Sequence, residues 1–140
     1  EVFNLPGPDI DAELLAMCSR LWKLLGVDHL ITLQINSIGD LESRNKYKEK
    51  LVTYFNANLD QLDEDSKRRL LSNPLRILDS KNPDMQNLIN NAPILLDYID
   101  TESTQHFAKL QQELTELGIG FTINPRLVRG LDYYNKTSDL

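Results

Sequence analysis

Cysteine occurs once, at Cys18, and histidine twice, at His29 and His106. A single thiol excludes an internal disulfide and suits a reducing compartment. Three such side chains, far apart in sequence, offer no recognisable metal-binding spacing. Long apolar runs are missing as well: none approaches the ~20 residues needed to span a bilayer. No basic stretch followed by an apolar one marks a signal peptide. These absences lead to the expectation of a soluble, cytoplasmic protein with no membrane partner. Positive charge is also short, with a formal net charge of −6. Phosphate binding wants a basic face, so a free-standing nucleic-acid binder is disfavoured, although local basic patches are not. No G-x-x-x-x-G-K loop occurs, which rules out a P-loop nucleotide site. An initiating Met is absent too. The chain opens inside an apolar run, Glu1-Val2-Phe3-Asn4-Leu5, and reads as a piece of something larger.

What is present is ordinary for a globular chain: 140 residues, 41 % hydrophobic and 26 % charged. Glu1 to Leu5 reads as a short strand, ended by Pro6-Gly7-Pro8. A helix is expected from Pro8 or Asp9 to Leu25. Proline suits its first turn, and Asp9, Asp11 and Glu13 complement the positive end of its dipole. Leu14, Met17, Cys18, Leu21 and Leu25 recur at helical spacing, with Gly26 as the stop. Cys18 within that pattern reads as a buried, inert thiol. Ile31, Leu33 and Ile35 alternate with polar residues, the mark of a strand with one buried face.

After Ser37-Ile38-Gly39-Asp40 the strand pattern gives way to helices separated by prolines. One long helix is expected from Leu41 to Leu59. A shorter one, capped by Asp63, should stop before Asn73-Pro74. Pro83 and Pro93 should open further short helical pieces. A last helix runs from Glu102 to Leu117, with Phe107, Leu110, Leu114 and Leu117 on one face and Gly118 after it. Strand character returns in Ile119 to Asn124. The spacing therefore predicts an α+β chain: strand, helix and strand over 1–39, a helical unit inserted over 40–118, and a return to the first unit over 119–140.

Two basic clusters lie in the helical block. Arg44, Lys46, Lys48 and Lys50 are spread around their helix, which favours a solvated surface. Lys67, Arg68 and Arg69 follow Asp63, Glu64 and Asp65 and can pair with them across helical turns. Trp22 and Tyr47 read as packing residues. The densest chemistry is in Leu127-Val128-Arg129-Gly130-Leu131-Asp132-Tyr133-Tyr134. Arg129 carries a planar fork of donors suited to carboxylate or phosphate oxygens. Tyr133 and Tyr134 each add an aromatic wall and a hydroxyl. In a regular strand Arg129 and Tyr134 would point to opposite faces, so joint service to one ligand requires a bend near Gly130.

That string, with Glu1-Val2-Phe3, Gly7-Pro8-Asp9-Ile10-Asp11-Ala12-Glu13, Asn36-Ser37-Ile38-Gly39 and Asn73-Pro74-Leu75-Arg76-Ile77-Leu78-Asp79-Ser80-Lys81, resembles the bacterial histidyl-tRNA synthetases. The similarity runs in order along nearly the whole chain. It implies a class II aminoacyl-tRNA synthetase, which activates histidine with ATP and charges tRNA(His). The resemblance further implies an antiparallel-sheet catalytic domain, a helical insertion that leans on the tRNA acceptor stem, a homodimer, and ATP accompanied by Mg2+.

The resemblance also implies roles for single residues. Arg129 matches the arginine that contacts the substrate carboxylate and the α-phosphate. Tyr134 matches a hydroxyl that helps hold the imidazole, with Tyr133 beside it, and Glu1 matches a carboxylate that reads the ring from another side. There are departures. Asn4 stands where the family usually has glycine, and Ser138-Asp139-Leu140 stands where an apolar strand is usual. Nothing corresponds to the dimer-forming segment, the ATP-clamping arginines or the anticodon-binding domain, so this piece alone is expected to be inactive and to bind no cofactor. Two other readings remain: a non-catalytic, synthetase-like regulatory subunit of histidine biosynthesis, and a free-standing helical module for RNA or protein. The first should lack the helical block and alter the Arg129 string, and the flanking strands weigh against the second.

Overall fold

The computed structural model describes residues 7–128, which form two compact units. The first contains 7–37 and 101–124, and the second 38–100 and 125–128. The expected strand at Glu1 to Leu5 lies outside the described residues.

In the first unit, helix α1 (Pro8–Leu24) packs against helix α5 (Thr101–Glu116). Proline opens α1, Asp9 and Asp11 occupy its first turn, and Lys23 its last, an arrangement matched to the helix dipole. Gly26 and Gly118 follow the two helices with φ of +71°, the left-handed stop that glycine adopts at no steric cost. The buried positions are Ala12 and Ala16 on α1 and Phe107, Leu110 and Leu114 on α5. Small residues on one side let the larger α5 side chains come close.

This corrects the face expected for α1. Met17, Leu21 and Leu25 are exposed, and Cys18 is half-buried rather than buried. Leu117 is likewise exposed, although the α5 stripe from Phe107 to Leu114 is covered as predicted. Burial follows the partner a helix meets, not the hydrophobicity of its side chains alone.

Strands β1 (Gln34–Ile35) and β2 (Thr122–Ile123) pair in parallel, Gln34 opposite Thr122 and Ile35 opposite Ile123. Both are shorter than the runs that alternation suggested. Parallel neighbours cannot be joined by a hairpin, and the crossover between these two is the whole stretch from 36 to 121. The pairing is thus parallel among the described residues, where the resemblance implied an antiparallel sheet. Asn124 reinforces it: its N–H donates to Ile35 O at 3.0 Å and its amide to Gln34 Oε1 at 2.9 Å.

The second unit is helical. Asp40 caps helix α2 (Leu41–Ala57) by accepting from Ser43 N at 2.7 Å. Tyr47, Leu51 and Phe55, four residues apart on α2, are fully buried and form the centre of the core. Helix α3 (Glu64–Ser72) starts at the predicted cap, Asp63. Three prolines punctuate the stretch from 73 to 97. Pro74 opens a 3-10 turn to Asp79, Pro83 opens another that runs into helix α4 (Gln86–Asn90), and Pro93 precedes a third at Leu95–Asp97. Gly39 takes a φ of +61°, and a Cβ there would sit 2.9 Å from Ile99 Cγ2. Its conformation and its crowding both call for glycine.

The unit boundaries differ from those expected. The sequence placed the helix at 102–117 within a block from 40 to 118, yet α5 groups with α1, so the second unit ends at residue 100 and resumes at 125. Helical periodicity identifies a helix without saying which neighbour its face covers.

Candidate functional site

Glu1, Arg129, Tyr133 and Tyr134, the residues singled out for substrate binding, lie outside the described residues. What the structure describes is the ground on which the Arg129 string begins, together with the polar clusters that competed with it.

The approach runs through Asn124-Pro125-Arg126-Leu127-Val128. Residues 125 and 126 form a turn, and Val128 N donates to Arg126 O at 3.0 Å. Val128 is buried in the same core as Tyr47, Leu51 and Phe55. The Arg126 guanidinium donates from Nη1 to Pro93 O at 2.8 Å, and from Nη2 to Ala92 O at 2.6 Å and Asn90 O at 3.2 Å. The Pro93 carbonyl also accepts from the Tyr47 hydroxyl at 3.1 Å. Burial raises the Tyr47 pKa, opposed by the nearby Arg126 charge. That phenol therefore stays protonated and keeps donating. Sequence reasoning missed Arg126 because its partners are backbone carbonyls more than thirty residues away, which carry no side-chain signal.

The basic cluster on α3 is matched by its own acids. Lys67 pairs with Glu64 at 3.1 Å, Arg68 with Asp65 at 3.2 Å and Arg69 with Asp65 at 2.9 Å, all at i,i+3 or i,i+4. On α2, Lys46 pairs with Glu42 at 2.6 Å. Hydrogen bonding to Glu42 raises the Lys46 pKa. These exposed pairs are helix electrostatics worth little each.

Asp63 has more partners. Its Oδ1 accepts from Ser66 N at 2.7 Å and its Oδ2 from Asn82 Nδ2 at 2.9 Å. The Asn82 and Ser66 hydrogen bonds hold its pKa down to about 2. Asn82 in turn caps the next 3-10 turn by accepting from Asp84 N at 3.0 Å. This is an architectural joint, with both carboxylate oxygens engaged by protein donors.

The acids at the start of α1 find partners on α5. Lys109 lies 3.5 Å from Asp9 and 3.9 Å from Glu113, and His106 lies 3.8 Å from Asp11. A hydrogen bond between the two carboxyl groups lowers the Asp9 pKa and raises that of Glu113, with Lys109 adding to the stabilisation of Asp9. The Glu113 carboxyl is thus the one that holds a proton more readily. Among the described residues no group of three or more His, Cys, Asp or Glu side chains could hold a metal ion. Nor is any described helix long and apolar enough to cross a membrane.

No protein-family model matches the chain. Among solved structures, the apo histidyl-tRNA synthetase of S. aureus is similar over 91 % of this chain, at 35 % sequence identity and a TM-score of 0.67. The chain belongs to the histidyl-tRNA synthetase family. It spans 30 % of the length of that S. aureus chain. The α+β architecture, mostly helical with a small sheet, agrees with membership of this family.

Proposed function

We propose that this chain is part of a histidine–tRNA ligase. A histidine carboxylate oxygen attacks the α-phosphorus of ATP, the bond to the β-phosphate oxygen breaks, and pyrophosphate leaves. A hydroxyl at the 3′ end of tRNA(His) then attacks the carbonyl carbon of the adenylate, the bond to the phosphate oxygen breaks, and AMP leaves as the histidyl ester forms. The observation that carries this reading is the 35 % identity to the S. aureus synthetase across 91 % of the chain.

In this reading Arg129 acts as the catalytic cation. Charge builds on phosphate oxygens as the carboxylate attacks, and a preorganised guanidinium stabilises that build-up. Tyr134 and Glu1 satisfy the two imidazole nitrogens, with Tyr133 in the same pocket, so that side chains lacking those nitrogens are rejected. The helical unit at 38–100 is the part assigned to tRNA, and the whole protein works as a cytoplasmic homodimer. Magnesium would accompany ATP, but the described residues offer no ligand cluster for it.

The test is histidine-dependent ATP–pyrophosphate exchange by the full-length enzyme. Arg129→Ala should fold and lose roughly 10²–10³-fold in rate. Unchanged exchange would remove Arg129 from the mechanism. Deleting residues 38–100 should harm tRNA charging more than adenylation, and equal losses in both steps would count against a tRNA role for that unit.

A further inference from the structure

Arg126 stands where the chain re-enters the helical unit, and its guanidinium holds the carbonyls of Asn90, Ala92 and Pro93. Asn90 closes α4, at the end of a helix where carbonyl groups run out of intrahelical donors. The Pro93 carbonyl is shared with Tyr47 of α2, which has no solvent exposure. One side chain therefore joins α2, the turn after α4 and the returning stretch of chain. Two residues later Val128 is buried in the same core.

An apolar anchor such as Val128 is enough to attach a chain. A planar fork on three acceptors does more, because it sets direction as well as position. Arg129 follows three residues after Arg126, and three residues span at most about 11 Å. So short a link has little slack to absorb a displacement of its own anchor.

We infer that Arg126 is a positioning residue for histidine activation. Its hold on the Asn90–Pro93 carbonyls sets where the substrate-binding string begins, and so couples the helical unit to the adenylation step. The inference rests on the ligase reading and adds to it a residue that touches no substrate.

The experiment uses the full-length enzyme with Arg126→Lys and Arg126→Ala, assayed by histidine-dependent ATP–pyrophosphate exchange alongside circular dichroism and thermal unfolding. The expected result is a fall in kcat of about 10- to 100-fold, the scale of a small misplacement of a reacting group. The KM for ATP should stay within about twofold. Lysine should not rescue the rate, since an ammonium cannot reproduce the three-bond fork. In an Arg129→Lys background, Arg126→Lys should cost much less than in wild type, because the two residues act through one interaction.

A folded Arg126→Lys enzyme with wild-type kcat overturns the inference, and so does an equal fold-loss in both backgrounds. If neither Arg126 variant folds, the residue serves stability alone and the inference also falls. A wild-type enzyme with no histidine-dependent exchange would instead sink the ligase reading itself.

Discussion

Asp63 offers the most exacting test of how the helical unit is held together. Its carboxylate caps α3 through Ser66 N and accepts from the Asn82 side chain, which itself orders the next turn. Replacing it with alanine removes the cap, worth about 1 kcal/mol. It also removes a hydrogen bond to a charged acceptor, which solvent screening at this half-buried site reduces to about another 1 kcal/mol. The expected loss at pH 7 is therefore about 2 kcal/mol, read from urea unfolding followed by circular dichroism.

The pH dependence has a definite sign. The folded-state pKa of Asp63 is about 2, below its ordinary value of 3.8. Its stabilisation is complete above the unfolded pKa and disappears as pH falls through the folded one. The difference between wild type and Asp63→Ala should therefore shrink between pH 4 and pH 2. Asp63→Asn should keep the α3 cap but turn an amide towards the Asn82 amide, giving an intermediate loss. A pH 7 difference below about 0.5 kcal/mol, or one that does not change on acidification, would refute the reasoning.

Contacts elsewhere in the two units set other expected outcomes. Leu51→Ala empties a fully buried position on α2 and should cost about 3–4 kcal/mol in urea unfolding. Tyr47→Phe removes the bond to Pro93 O while leaving the ring in place, and should cost only about 1 kcal/mol. Gly39→Ala should destabilise more than Gly118→Ala. Both positions have positive φ, but only at Gly39 does the added methyl meet Ile99 and Ser43; equal losses would show that crowding there is relieved freely. Glu113→Gln should stabilise the α1–α5 pair near neutral pH and have no such effect in acid. The raised Glu113 pKa means that its charged form is the disfavoured one beside Asp9, and thermal melts at pH 7 and pH 3 separate the two.

Much of the local structure was legible in the residues. Asp63 marks a helix start because a short carboxylate side chain satisfies orphan N–H groups. Pro74, Pro83 and Pro93 mark breaks because proline lacks a donor and holds φ. The α5 stripe of Phe107, Leu110 and Leu114 and the pairing of Lys67, Arg68 and Arg69 with nearby acids are set by the helical repeat alone. The resemblance carried in the Arg129 string likewise needed no coordinates.

Tertiary structure decided what depends on distant partners. It buried Ala12 and Ala16 on α1 in place of the larger Met17 and Leu21, because the face opposite α5 is the one that is covered. It moved α5 out of the inserted block and into the first unit. It also gave Arg126 its three carbonyls, since a backbone oxygen leaves no trace in the identity of the residue that bears it. Local propensity names the elements; contact between segments far apart in the chain chooses their neighbours.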